Sequence, residues 1–499
     1  MFLENYLKKE IGCRTSAGVA YLATLNHLME TFPSVGLRII EELQAQRSRL
    51  KMIASENYSS LSVQLAMGNL LTDKYAEGIP FHRFYAGCEQ VDALEWECAE
   101  TAKELFNAEY ANVQPHSGAD ANLIALLGII TSRVQLPFIE KLGRKGVEAL
   151  SSEEYQALRK EIGDRVCLGP SLNSGGHLTH GSVRLNIVSK LLHCESYDIN
   201  PETELFDYDV IALRAKETKP LIIIAGYSSY SRRLNFAILK QIAEDVGAVL
   251  WADMAHFAGL VAGGVFRGEE NPIPYSDVIT ATTHKTLRGP RGGLILAKKE
   301  FGEVLNKGCP MVMGGPLPHV IAAKLIAFKE ALTLDFKAYA HNTVKNAMTL
   351  AQDLQSCGLR VLTGGTENHM VIIDLRSTGI SGRIAENFLS RIGIIVNRNS
   401  IPFDTDSGWH TSGVRLGLAA LTTLGMGVEE MHEIADIIAT LIFSIKPKIL
   451  PKGTPSKTEG EAEQKIMNAL KARVKEILLN YPVYPEIDLG ALSQLNTVG

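Results

Sequence analysis

The chain has 499 residues, of which 46% are hydrophobic and 21% are charged, and its formal net charge is −5 at pH 7. This length exceeds that of one small domain, and the composition is that of an ordinary globular protein, which argues against a disordered chain. The slightly acidic balance also argues against a general nucleic-acid binder. The seven cysteines are scattered and include no C-x-x-C pair, so neither a disulfide framework nor a zinc site is predicted.

The first 70 residues are expected to form a helical arm. Charged residues such as Glu4 and Lys8 interrupt its first apolar residues, which is unlike a secretory leader. The basic cluster 46–51 lies at helical spacing beside Leu43 and Leu50, and we interpret it as a solvated helix face rather than an RNA contact. No apolar run was expected to reach the roughly 18 residues of a membrane span. A cytoplasmic protein is therefore predicted.

Residues 110–297 alternate short apolar runs with amphipathic stretches, which is typical of an α/β layer with a largely parallel sheet. The predicted strands are 110–114, 220–225, 248–252, 277–283 and 293–297. A Ser, Asp or His follows each of the first four within a few residues. Because ligands of such sheets bind at the carboxyl ends of the strands, we expect a large ligand-binding domain over residues 71–325.

Two further regions depart from this alternation. Residues 134–165 predict an added helical excursion, with a capping box at Ser151 and Glu154. Apolar strands at 370–375 and 392–396 predict a smaller C-terminal α/β domain over residues 326–499. Within that domain, the polar segment 451–460 predicts a surface linker before a last helix that ends near Tyr481.

Lys285 is the first candidate for chemistry, because it follows the predicted strand 277–283 and precedes the glycine-rich turn 289–293. An ammonium that is partly shielded from water there loses hydration, so its pKa falls. The free amine can then form a Schiff base with pyridoxal phosphate. Taken alone, a solvated surface lysine is the more ordinary interpretation.

Four other segments supply what a pyridoxal site needs. Asp253 ends a predicted strand and suits a pyridinium N–H, although a helix cap is an alternative. The turn before the helix near Leu123 suits a phosphate, and Asp120 is expected to point away from it or to weaken it. Histidine His177 lies between glycines, where it could cover a flat ligand or form an ordinary loop contact. Arg415 suits a substrate carboxylate.

Together these segments resemble serine hydroxymethyltransferases from about Glu42 to Tyr484. The motifs that carry the resemblance are residues 53–58 (IASENY), 74–78 (KYAEG), 113–118 (VQPHSG), 175–181 (GGHLTHG), 253–256 (DMAH) and 283–287 (THKTL). The resemblance implies a fold-type I pyridoxal-phosphate enzyme of aspartate-aminotransferase architecture, with a mostly parallel seven-stranded sheet. It further implies a homodimer with shared active sites and no nucleic-acid or membrane partner.

The implied reaction is the reversible conversion of L-serine and tetrahydrofolate into glycine and 5,10-methylenetetrahydrofolate. Carried over by motif, Lys285 would bind the cofactor aldehyde, Asp253 would pair with the ring nitrogen and His177 would stack on the ring. Ser228 and His256 would flank the phenolic oxygen. The implied phosphate ligands are Ser117, Gly118 and His284, with Tyr75 and the turn Gly314-Gly315 of the partner subunit.

The resemblance also implies a substrate site. Arg415 and Ser55 would hold the amino-acid carboxylate. Glu77 of the partner subunit would be the acid/base group, and Tyr85 would line the same site. The positions that match pterin contacts are Leu172, Gly176 and Asn399.

The sequence departs from the family pattern at several positions near these motifs. The substituted positions are Ala86, Ala119, Asp120, Met313, Leu418 and Ala419. They bear on cofactor affinity and substrate strictness. The excursion 134–165 is expected to have no family counterpart, and surface decoration is favoured over a role at the folate entrance.

Two competing functions follow from the same residues. A folate-independent pyridoxal aldolase or racemase acting on small amino acids would use the enlarged surroundings of Ala86, Ala119 and Ala419. A non-catalytic descendant would bind the cofactor as a sensor or partner module, but the joint presence of Lys285, Asp253, Glu77 and Arg415 argues against it.

Overall fold

The structure is a computed structural model that describes residues 2–7, 15–180, 186–404 and 408–489. Its N-terminal part is helical, as predicted, with helices Phe2–Leu7, Ser16–Thr31 and Pro33–Arg47. Thr15 begins the second helix because its hydroxyl accepts a hydrogen bond from the Gly18 N–H at 3.0 Å. A short helix, Leu61–Leu65, follows.

The large sheet has seven strands and is mostly parallel, which confirms the predicted fold class. In spatial order its strands are Tyr110–Asn112, Gly293–Ala297, Val278–Thr282, Val249–Asp253, Ile222–Gly226, Val166–Pro170 and His193–Tyr197. The strand Gly293–Ala297 runs antiparallel to both of its neighbours, and the other pairings are parallel. Helices cover both faces, so the central strands are fully buried.

The helices of this region connect the strands of the large sheet. They are Glu89–Phe106, Gly118–Ile130, Leu136–Lys141, Ser152–Gly163, Val188–Leu191, Tyr208–Thr218, Phe236–Val246, Ala258–Ala262, Gly302–Asn306, Gly308–Met311 and Pro318–Ala331. A small hairpin, Gly78–Ile79 with His82–Arg83, lies before the first of them.

The excursion at 134–165 is helical, as expected. Ser151 accepts a hydrogen bond from the Glu154 N–H, and the Glu154 carboxylate accepts one from the Ser151 N–H, so the predicted capping box is present. The helix Ser152–Gly163 buries one leucine, Leu158, and otherwise lies largely at the surface.

The expectation that no apolar stretch is long enough to span a membrane is wrong by length and composition. Within the described residues, one continuous helical stretch, Gly118–Lys141, is long and apolar enough to cross a membrane. Half of its most apolar window is buried inside the protein, where Ile124 and Ile129 share an apolar core with Trp251. A core helix of a globular protein has the same composition.

The C-terminal part has its own antiparallel sheet. In spatial order its strands are Arg360–Val361, Met370–Asp374, Gly413–Gly417 and Asn397–Asn399. The predicted strand 392–396 pairs elsewhere, because Ile394–Ile395 runs parallel to Leu50–Lys51 of the N-terminal part. The helices of this part are Leu334–Ser356, Gly382–Ile392, Ala419–Thr423, Val428–Ser444 and Gln464–Asn480.

The predicted linker at 451–460 is wrong in part. Residues Pro455–Glu461 form a strand that pairs antiparallel with Lys446–Ile449. The turn between the two strands is irregular, and the pairing itself shifts register between Pro447 and Ile449. The last helix ends at Asn480 with Tyr481 as its cap, as predicted.

The large sheet and the C-terminal sheet pack against different apolar cores. Leu50 and Met52 belong to the C-terminal core, although they lie early in the chain. The helix Leu334–Ser356 contributes Phe336 to the first core and Leu350 to the second. The domain limits at residues 70 and 325 stay predictions.

Candidate active site

A cavity of about 460 Å³ lies at the carboxyl ends of the central strands of the large sheet. Most of the residues that the sequence singled out for the cofactor and the substrate carboxylate line it. They are Ser55, Ser117, Gly118, His177, Ser228, Asp253, His256, His284, Lys285 and Arg415. These residues are separated by up to several hundred positions in the chain, so the fold brings them together.

Lys285 is held on a tight loop after Val278–Thr282. The loop is closed by the Gly289 N–H, which donates to the Thr283 carbonyl at 2.7 Å, and Arg288 adopts a left-handed backbone with φ +57°. Burial, with the charges of Arg415 and Arg291, lowers the pKa of Lys285 to about 8 despite the opposite effect of Asp253. The free amine is thus accessible close to neutral pH.

Asn57 anchors the backbone of this loop. Its amide donates to the Lys285 carbonyl at 2.9 Å and to the Tyr339 hydroxyl at 2.8 Å. The Asn57 carbonyl oxygen accepts from the Thr423 hydroxyl at 2.7 Å. The N-terminal part, the lysine loop and the C-terminal part therefore meet at one side chain.

Asp253 is 5% exposed and ends a fully buried strand. Its Oδ2 accepts from Asn122 Nδ2 at 3.0 Å and from His180 Nε2 at 2.9 Å. Burial alone would raise the pKa of Asp253, but the hydrogen bonds that it accepts from His180 and Asn122 contribute to holding the pKa below its ordinary value. Asp253 is therefore a buried carboxylate that stays ionised.

The hydrogen bonds of His180 fix its proton. Nδ1 accepts from the His177 backbone N–H at 3.1 Å, so the neutral ring carries its proton on Nε2 and donates it to Asp253. The ligand atoms of His177, His180 and Asp253 lie within 4.8 Å of one another, as metal ligands can. A metal would need the Nε2 lone pair, which this tautomer lacks, so a cationic ring N–H is the better partner for Asp253.

The helix Gly118–Ile130 begins at the cavity, and Ser117 is its cap. The Ser117 hydroxyl accepts from the Asp120 N–H at 3.1 Å and donates to Asp120 Oδ2 at 3.0 Å. Of the two alternatives expected for Asp120, pointing away does not hold, because its carboxylate accepts a hydrogen bond from the same hydroxyl that an anion would use. A weakened phosphate site stays a prediction. The first N–H groups of the helix still favour a phosphate here.

Arg415 lies on Gly413–Gly417 and reaches into the cavity. It donates to the Ser228 carbonyl and, at 3.1 Å, to Asn397 Oδ1. Among the described residues no carboxylate forms an ion pair with Arg415, and burial lowers its pKa to about 10. A buried guanidinium that lacks a carboxylate partner suits an anionic ligand.

The remaining histidines of the cavity are neutral. Burial lowers the pKa of His177 to about 4 and that of His284 to about 3. His256 Nδ1 lies 3.4 Å from His369 Nε2, and burial lowers the pKa of both rings. Neutral imidazoles can stack on a ring or donate to oxygen without adding charge.

A second group of expected residues lies outside this cavity. Glu77 accepts from the Tyr85 hydroxyl at 3.2 Å and from the Tyr75 hydroxyl at 3.4 Å. The hydrogen bond between Tyr85 and Glu77 raises the pKa of Tyr85. A Cβ on Gly315 would lie 3.4 Å from the Tyr75 ring. None of these four residues lines the cavity.

The expected pterin positions are also outside the cavity lining. Leu172 and Gly176 belong to the loop after Val166–Pro170, where a Cβ on Gly176 would lie 2.2 Å from the Pro170 carbonyl oxygen. Asn399 lies at the edge of the C-terminal sheet and donates to the Ser400 carbonyl at 2.6 Å. Their assignment stays a prediction.

Sequence reasoning missed several residues of the cavity. Asn122 is one of them, and its side-chain amide donates to both Asp253 and Thr179. A buried amide within the apolar helix Gly118–Ile130 is the signal that could have found it. Arg291, Tyr227 and Glu56 line the cavity too, and sequence patterns gave no specific sign of them.

Comparisons with known proteins agree with this geometry. A family model described as serine hydroxymethyltransferase matches residues 30–137 and 146–438. The chain is 64% identical to proteins named serine hydroxymethyltransferase from Chlamydia muridarum and Chlamydia trachomatis, over 98% of this chain and 99% of each relative. A protein of that name from Chlamydia pneumoniae is also 64% identical, over 98% of both chains.

The expectation that the whole excursion 134–165 lacks a family counterpart is wrong. The family match is interrupted only over residues 138–145. The relatives align across nearly the whole chain, so they have a similar length of sequence here.

Proposed function

Because the chain belongs to the serine hydroxymethyltransferase family, we propose that the cavity around Lys285 is where it performs that family's reaction. The enzyme is a pyridoxal-phosphate-dependent transferase that converts L-serine and tetrahydrofolate into glycine and 5,10-methylenetetrahydrofolate, reversibly. Its place is in one-carbon and amino-acid metabolism. A cytoplasmic location is part of the proposal.

The residues of the cavity fit the cofactor. When bound, pyridoxal phosphate supplies an electron-withdrawing ring that accepts the electron pair released at the substrate Cα. Lys285 would hold its aldehyde carbon, and Asp253 would keep the ring nitrogen protonated. The helix that begins after Ser117 would hold the phosphate, with His284 beside it. Ser228 and His256 would flank the phenolic oxygen, and His177 would cover the ring.

The observation that carries the proposal is the pair of buried cationic residues in one cavity. Lys285 has a pKa of about 8, and Arg415 has no carboxylate partner among the described residues. A guanidinium that binds the substrate carboxylate beside Ser55 would fix the rotation about the substrate Cα–N bond relative to the cofactor ring. That orientation selects which bond at Cα breaks.

We infer that the second residue group acts from the partner subunit of a homodimer. Tyr75, Phe81, Phe84 and Tyr85 lie within eight positions of Glu77 in the chain and are between 47% and 70% exposed. Exposed aromatic side chains of this number are typical of an interface. In this arrangement Glu77 of the partner subunit moves the proton of the serine hydroxyl, and Tyr85 of the partner subunit orients it. Leu172, Gly176 and Asn399 would contact the pterin.

The test is glycine formation from serine by the purified protein, with and without tetrahydrofolate. The proposal predicts glycine only when the folate is present. Equal turnover without folate would favour the aldolase or racemase alternative. Arg415→Lys is the matched variant, because it keeps the charge but loses bidentate binding, and it is expected to raise the KM for serine. An unchanged KM would contradict the assigned role of Arg415.

A further inference from the structure

Lys324 is a buried lysine that the proposed reaction does not use. It lies on the helix Pro318–Ala331 and is 1% exposed. Among the described residues it forms no ion pair with a carboxylate. A buried ammonium without partners is very unfavourable, so its hydrogen bonds must compensate for the lost hydration.

Three backbone carbonyls supply that compensation. The Lys324 Nζ donates to the carbonyls of Val113 at 2.6 Å, Pro115 at 2.9 Å and Gly293 at 2.9 Å. An ammonium has three N–H donors, and all three are used. A neutral amine has only two, so this geometry fits the charged form. Burial lowers the pKa of Lys324 to about 8, which still leaves it mostly charged at neutral pH.

These carbonyls belong to the two segments that form the back of the phosphate site. Val113 and Pro115 lead into Ser117 and the helix behind it. Gly293 begins the antiparallel strand, its N–H donates to the Pro115 carbonyl at 2.9 Å, and a Cβ there would lie 2.2 Å from the Ser117 carbonyl oxygen. The ammonium therefore joins both segments immediately behind Ser117.

We propose that Lys324 is a positioning residue for the cofactor phosphate. Its three hydrogen bonds hold the turn before Ser117 against Gly293, and its charge adds a positive potential on the protein side of the site. This potential partly offsets the negative charge of Asp120. The proposal rests on the proposed function, because it assumes that the phosphate binds at Ser117.

The test compares binding of pyridoxal phosphate with binding of pyridoxal, which lacks the phosphate, to the apoprotein. Lys324→Met keeps the length of the side chain but removes the charge and the donors. We expect it to weaken pyridoxal phosphate binding at least about tenfold while pyridoxal binding changes little. Lys329→Met is the matched control, because Lys329 lies on the same helix with its side chain 56% exposed, and it is expected to change neither.

A purely structural role would lower the affinities for pyridoxal phosphate and pyridoxal by the same factor. That result would overturn the proposal. An affinity ratio of the two compounds that stays at the wild-type value would overturn it too. If Lys324→Met does not fold, Lys324→Ala with added propylammonium, which has the three missing carbons and the ammonium, replaces it. Recovery of the phosphate preference with propylammonium supports the proposal, and no recovery contradicts it. A wild-type protein that binds both compounds equally would instead overturn the phosphate assignment of the proposed function.

Discussion

Lys285 has an environment that makes its chemistry depend on pH. Because its pKa is about 8 rather than near 10.5, the fraction of free amine rises as pH rises through 8. We expect the rate of cofactor uptake by the apoprotein to increase over the same range and then level off. Stopped-flow measurement of the yellow absorbance checks this. A midpoint that stays near the ordinary lysine pKa would contradict the assigned environment.

Lys285→Gln removes the amine and keeps a similar side-chain length. We expect this variant to lose the yellow absorbance of the lysine-linked cofactor while it remains folded. The absorbance spectrum of the purified variant, with circular dichroism as the folding control, is the measurement. A yellow variant would show that another residue binds the aldehyde.

The Asp120 carboxylate accepts a hydrogen bond from the Ser117 hydroxyl. A substitution of Asp120 should therefore raise the affinity for the cofactor and lower the stability of the protein. Asp120→Asn is expected to bind pyridoxal phosphate about tenfold more tightly, because the repulsion of a dianion is removed. It is also expected to lose about 0.5 kcal/mol of stability, because an acidic residue in the first turn favours the helix dipole. Cofactor titration and urea unfolding measure the two effects. Weaker cofactor binding in the variant would show that the carboxylate supports the site.

Among the secondary-structure elements, apolar strands were the most predictable. The strands around Asp253 and Lys285 begin and end within one or two residues of the predicted limits. The strand His193–Tyr197 was missed because it lies at the sheet edge and has a mostly polar sequence. The strand Gly413–Gly417 is not among the predicted strands, since glycines weaken a strand pattern. The role of Asn122 depends on partners 57 and 131 positions away, which no local pattern contains.

The excursion helix Ser152–Gly163 allows a test at the level of one element. Ser151→Ala removes the cap side chain and is expected to weaken that helix by about 1 kcal/mol. If the segment is surface decoration, turnover of serine stays at the wild-type rate. Hydrogen exchange of residues 152–163 measures the helix, and steady-state kinetics measure the enzyme. A fall in the activity of the folded variant would connect the excursion to the folate entrance.

We propose that the active site around Lys285 is complete only in a dimer, because Glu77 comes from the other subunit. Lys285→Gln and Glu77→Gln each inactivate the homodimer, but a mixed dimer contains one site with Lys285 from one subunit and Glu77 from the other. Random exchange of the two variants is therefore expected to restore about one quarter of wild-type activity. Activity after unfolding and refolding the mixture measures this. No recovery, with dimers confirmed by light scattering, would place Glu77 in the site of its own chain.

The contacts of Asn57 also bear on when the site can form during synthesis. Asn57 leaves the ribosome early, but its partners Lys285, Tyr339 and Thr423 are made much later. Arg415 follows near the end of the chain as well. A nascent chain that already contains the whole large sheet thus includes Asn57 and Lys285 but lacks Tyr339 and Thr423, which hold the Asn57 side chain in place. We therefore expect the cofactor to be bound in its final geometry only after residues 339–423 have been synthesised.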